Sequence, residues 1–136
     1  MTRLFIVLGL VGALLSIAIF EQLHISQTFG YMKRETSAIL SAIKEIPPPE
    51  KKEDYKSPEI AKTKIDELHR FWTEKEGKLC VLLRHMELSY ISDALVYARN
   101  FVHFDNQEES CAGLERLKYL LDTYSKVYGM NGWNIL

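Results

Sequence analysis

The chain opens on an unbroken apolar run and then turns to a periodic one. Leu4 to Phe20 reads LFIVLGLVGALLSIAIF, with no charge and with Ser16 as its one hydroxyl. As a helix this run rises about 25 Å, slightly short of the roughly 30 Å hydrocarbon core of a bilayer. Modest bilayer thinning, or Thr2 and Gln22-Leu23 at the edges, covers the gap. Backbone groups in lipid must be satisfied within the segment, so a spanning run is helical. The pattern predicts a transmembrane anchor within residues 1–23. The competing reading is a cleaved signal peptide, with Arg3 as its basic region and Ser16-Ile17-Ala18 before a cut. The run is longer than most signal cores, no Ala-x-Ala follows it, and the helical pattern continues past Phe20. These flanks favour an uncleaved anchor.

From Ile25 the apolar positions fall at Ile25, Phe29, Met32, Thr36, Ile39, Ile43 and Ile46, in steps of four and three. That is one heptad seam, a juxtamembrane amphipathic helix over residues 24–46, with Thr36 its one polar member. Pro47-Pro48-Pro49 ends it, because proline lacks an amide hydrogen and its ring clashes with the preceding turn. Residues 47–57, PPPEKKEDYKS, read as a charged, solvated linker whose acids offset Lys51, Lys52 and Lys56.

A helical hairpin domain is expected over residues 58–136. Ser57-Pro58-Glu59 signals a start: a capping hydroxyl, proline at the first helical position and an acid in the first turn. The stripe that follows is Ala61, Ile65, Leu68, Trp72, Leu79, Leu83, Met86, Tyr90, Ala94, Tyr97, Phe101 and Phe104. It crosses Gly77 in phase, which fits one long, bent helix, whereas a turn at Glu76-Gly77-Lys78 would make two. Asp105 with Glu108 forms an acidic capping box for a last helix, striped Leu114, Leu117, Leu121, Tyr124 and Tyr128 and closed by Gly129. No segment alternates with period two. The predicted fold is all-α: an N-terminal transmembrane helix followed by an antiparallel hairpin or bundle of three or four helices.

Composition adds limits. The net charge of −1 leaves no electrostatic footprint for nucleic acid. Arg3 before the anchor, a short N-terminal tail and the signal-like layout place the N-terminus in the cytoplasm and the helices outside it. Cys80 and Cys111 are too few for a disulfide scaffold. In a straight hairpin turning at Asp105 they lie about 28 Å apart, far beyond disulfide reach, so both are expected as free thiols packed like small apolar side chains.

Candidate chemistry is sparse. Glu21-x-x-His24 and Asp66-x-x-His69 each set a carboxylate and an imidazole on one helical face, the spacing of di-iron bundles. Further inward carboxylates are not evident, so no metal or cofactor is assigned. His85 and Glu87 read as a polar helix flank and His103 as a helix end. Neither cysteine has a recognisable base, and there is no phosphate loop, Cys-x-x-Cys or nucleophile elbow. Tyr90, Tyr97, Phe101, Phe104, Tyr124 and Tyr128 fit core packing better than a ligand box. No catalytic residue is assigned, and the chain is expected not to be an enzyme.

Trp72 with its following charged run, His85 with Glu87, Leu117-Lys118-x-Leu120-Leu121 and the terminal Asn134-Ile135-Leu136 carry a resemblance. On these the chain, mainly over residues 72–136, resembles a family of short Firmicute proteins, domain of unknown function 4363. Gly129 to Trp133 departs from the family's usual approach to its terminus. The resemblance implies a membrane-anchored helical protein, encoded near other small membrane proteins, and transfers no catalytic residues. The expected role is a non-enzymatic, single-pass interaction or scaffold protein of the cell membrane. Its expected partners are the bilayer, through Leu4–Phe20, and another envelope protein or a second copy. The alternative is an extracytoplasmic sensor with a small-ligand cavity among the aromatics of the last two helices.

Overall fold

The computed structural model describes residues 2–128, with side chains from Phe5 onward. Among these residues every regular element is helical: α1 spans Thr2–Lys44, a single 3-10 turn spans Lys52–Asp54, and α2, α3 and α4 span Glu59–Leu79, His85–His103 and Gln107–Tyr128. The second half of α1 packs on α2 and α4, and α3 packs on the same two, while diagonal helices do not meet. This is an up-down-up-down ring of four helices joined by short connections.

Two halves of α1 behave differently. Phe5 to Phe20 is helical with every side chain uncovered, and Phe20 is 73% exposed. The helix is long and apolar enough to cross a membrane. Beyond it Ile25, Phe29, Met32, Thr36, Ile39 and Ile43 are all buried, the predicted seam. The Thr36 hydroxyl sits in that seam without a hydrogen-bond partner. Residues 24–44 therefore share one core with α2, α3 and α4. The last amide of α1's end, Glu45 N–H, donates to Ser41 O at 3.0 Å, and Pro47 follows.

The linker 47–57 departs from the expectation of a solvated loop. Glu50 to Asp54 face water, but Tyr55 and Ser57 are 3% and 4% exposed and plug the end of the ring. The predicted Ser57 cap is absent, since its hydroxyl makes no capping bond to α2. Pro58 O takes the first helical amides instead, from Ala61 at 2.9 Å and Lys62 at 3.1 Å.

Gly77 is interior to α2, so the helix is continuous through it and has no turn at Glu76-Gly77-Lys78, but it does not go on as one long helix. The break falls later, at Cys80–Arg84, and a new helix starts at His85. That break resets the phase. Met86, Tyr90, Tyr97 and Phe104, predicted for the stripe, are exposed, and Phe101 is half-buried. The buried set is Leu88, Ile91, Ala94, Leu95, Ala98 and Val102. Ala98 admits α4 closely: a Cβ on Gly113 would lie 2.9 Å from Ala98 Cα. Along α4, Leu114, Leu117 and Leu121 are buried, and Tyr124 and Tyr128 pack against the core's edge. The Gly129 cap lies outside the described residues.

Candidate functional site

The end of the ring remote from Phe5–Phe20 is built around Asp105. α3 finishes with Asp105 N–H donating to Val102 O at 3.3 Å and Asn106 N–H to Phe101 O at 3.0 Å, the paired bonds of a Schellman motif. That motif needs a left-handed residue, and Asp105 supplies it at φ 56 where glycine is usual. The conformation costs an L-residue of order 1 kcal/mol. Its carboxylate explains why aspartate is held there. It accepts from the Ser57 amide at 2.9 Å and pairs with Lys62 at 3.0 Å and Lys56 at 3.1 Å. Burial alone would raise this carboxyl, but Lys62, the Ser57 amide and Lys56 outweigh it and hold it down at about 2.

Asp105 thus joins two connections and helix α2 and does not cap α4, correcting the predicted capping box. Asn106 caps it: its Oδ1 accepts from Glu109 N–H at 3.1 Å. Glu108 reaches Lys52 of the linker at 2.6 Å instead. Gln107 turns back and donates its amide to Ile43 O at 3.1 Å and Ile46 O at 2.7 Å. It thereby satisfies carbonyls that the end of α1 leaves without helical partners.

Between these parts runs a groove of about 550 Å³, whose walls include Pro48, Pro49, Tyr55, Phe104, Lys52 and Glu108. Phe104 is 75% exposed at its edge. It joins apolar and charged walls at one end of the molecule. Of the aromatics of the last two helices, Phe104 lines this groove, while Tyr90 and Tyr97 are exposed elsewhere on the surface.

The other polar groups bind helix to helix. Asp66 accepts from Arg99 Nε at 2.6 Å and meets His103 Nε2 at 3.0 Å, so α2 and α3 are joined and His69 is not its partner. Burial would raise the Asp66 carboxyl, and Arg99 and His103 overcome it, holding it below the usual range. Trp72 Nε1 donates to Ser92 Oγ at 2.7 Å, and Ser92 Oγ donates to Glu76 at 2.7 Å. Glu87 accepts from Tyr128, and Glu109 from Tyr97. Burial, then Glu87, pushes the Tyr128 hydroxyl up. Glu21 and His24 are half-buried on α1. Among the described residues no three histidine, cysteine or acidic side chains gather for a metal.

Both cysteines are free. Cys80 is exposed rather than packed, at the end of α2, with its thiol on Gly77 O at 2.9 Å. Cys111 is half-covered, and burial pushes its thiol up, the opposite of nucleophile activation.

The sequence pattern pointed to Asp105 and missed its role. Asn106 directly before the α4 pattern was a legible cap. Arg99 and Gln107 gave no local signal, because their partners lie on other helices.

Comparison with curated proteins and with solved structures gives no match. A family model described as a domain of unknown function, DUF4363, matches residues 27–135. The match reaches back from Trp72 to Gln27, taking in the packed half of α1 and the linker. The chain, matched over most of its length and including all four helices of the ring, belongs to the DUF4363 family.

Proposed function

We propose that this chain is a non-enzymatic, single-pass membrane protein that holds a rigid helical bundle at the bilayer and offers its far end to a partner. One observation carries the reading. A single helix changes at about Glu21 from complete exposure of apolar side chains to burial of a continuous seam. The bundle's own core is already covered, so Phe5–Phe20 needs a second apolar phase, and lipid is the one its length fits. With no proline or loop between the two halves of α1, anchor and bundle move as one body.

The carboxylates that could have done chemistry support a structural role. Asp66, Asp105, Glu76 and Glu87 each accept a hydrogen bond from another element. The distal groove, with Pro48, Pro49 and exposed Phe104, is the docking face for another envelope protein or a second copy. The bundle stands outside the cytoplasm in this reading, following the Arg3 charge before the anchor.

The test joins topology to partnership. In a Cys80→Ser, Cys111→Ser background, Glu53→Cys is treated on intact cells with a membrane-impermeant maleimide. Labelling is expected, and protection until lysis reverses the orientation. A photo-crosslinker replacing Phe104 is expected to trap a discrete partner in membranes. A strictly monomeric product, with recovery of intact chain in the soluble pool, sinks the reading.

The groove volume favours one second reading, a sensor that takes a small ligand at the distal end. A ligand-dependent rise in Tm, lost with Phe104→Ala, distinguishes it from protein docking.

A further inference from the structure

We infer that the α2–α3 turn is a second membrane contact, an interfacial foot that meets lipid headgroups beside the anchor. The inference rests on the anchor reading and adds a residue-level site to it. It begins with height along the bundle. α1 and α2 run antiparallel, and their pairs step in order: Glu35 with Lys64 at 2.9 Å, then Tyr31 with Phe71 at 4.4 Å between ring centroids. Next, His24 and Lys75 line one shallow depression between the two helices. From Lys75 to Cys80 the chain descends about 7.5 Å. The same descent from His24 along α1 arrives at Ile19. The turn at Cys80–Arg84 is therefore level with the last turn of the apolar run. Coverage of α1 agrees, since Phe20 is exposed while Glu21 and Gln22 are partly covered.

The residues at that height suit a headgroup boundary. Val81 is 83% exposed and Met86 is 61% exposed. Lys78, Arg84 and His85 are exposed around them. Between Glu76 and Glu87 the sequence has no carboxylate. Those two acids accept from Ser92 and Tyr128 and are thereby held against the bundle. Apolar tips flanked by the cations Lys78 and Arg84, with Glu76 and Glu87 held back, are the composition of a segment that dips into an anionic interface. Facing water, the same turn would leave Val81 and Met86 uncovered by any of the described residues. Set against the membrane, it gives the bundle a second support beside the anchor and so fixes its tilt.

The experiment uses the full chain, with Cys80→Ser and Cys111→Ser, reconstituted in vesicles of phosphatidylcholine and phosphatidylglycerol. A spin label is carried in turn on Val81→Cys, Leu14→Cys and Glu53→Cys. Accessibility is read to oxygen, which concentrates in lipid, and to a water-soluble nickel chelate. Val81→Cys is expected to favour oxygen over nickel several-fold, as Leu14→Cys does, with Glu53→Cys reversed. If Leu14→Cys favours oxygen and Val81→Cys favours nickel, the foot is overturned and the anchor stands. If Leu14→Cys itself favours nickel, the anchor reading fails and takes the foot with it. A Val81→Cys label shielded from both reagents means another protein copy covers the turn, which also overturns it.

Discussion

At the distal end, one carboxylate ties two loops and a helix together, and Gln107 stitches α4 to the last carbonyls of α1. At the proximal end, the α2–α3 turn has no such hub. Leu79, Leu83 and Leu88 are buried beneath it, and Trp72 reaches across to Ser92 nearby. The contrast shows two ways of closing a helical ring. Directional, charge-assisted bonds can hold a residue at an unfavourable φ, because several contacts fix it at once. Burial holds a turn without fixing its outer side chains, which stay free to meet another phase.

The largest expected effect is on the proximal side. Trp72→Ala removes a side chain 2% exposed and leaves Ser92 without its donor. Urea unfolding in detergent should show a loss of about 3–5 kcal/mol. An effect below about 1 kcal/mol would mean that burial does not close this end.

At the distal end, Asp105→Ala should cost about 2–3 kcal/mol, since it removes charge-assisted bonds and keeps a left-handed backbone. Asp105→Asn tolerates that backbone and should cost roughly half as much. A negligible loss for Asp105→Asn would show that the charge is unimportant, and equal losses that the charge carries the whole effect. Acid tests the same residue without a mutation. Its folded carboxyl lies at about 2, below the ordinary 3.8, so its contribution is complete above pH about 4 and disappears as pH falls through about 2. A shift of that size corresponds to about 2 kcal/mol, and exposure of Lys56 trims it to about 1. Amide exchange at Ser57 should accelerate over that window, while amides in the proximal half of α2 should not.

Smaller effects sharpen the contrast further. Asn106→Ala should cost about 1 kcal/mol as a lost cap of α4. Ser57→Ala should cost under about 0.5 kcal/mol, because the hydroxyl caps nothing and the bond to Asp105 comes from its backbone. Thermal melts of the two variants side by side check that Asn106 caps α4 and that the Ser57 hydroxyl does not cap α2.

The uneven legibility of this chain follows from where its information lies. The seam from Ile25 to Ile43 was readable, since a heptad repeat along one helix is local and its burial needs only one face. So was the uncovered apolar run. The predicted α3 stripe shares Ala94 with the buried face but otherwise follows aromatic Tyr90, Tyr97 and Phe104 in place of Ile91, Leu95, Ala98 and Val102. The inner face carries large Leu88, Ile91 and Leu95 as well, and only at Ala98 does the close approach of Gly113 call for a small side chain. Ser57 looked like a cap by sequence, but its height against Asp105 turned its backbone into the donor.

By itself, then, the sequence determined the helical class, the apolar segment and the face of α1 that is buried, because each is set by residues within a few turns of one another. Only the tertiary structure decided where α2 breaks, why an aspartate occupies a left-handed position and which end carries a groove. Those outcomes depend on atoms brought together from distant parts of the chain, whose contact free energies no local pattern contains.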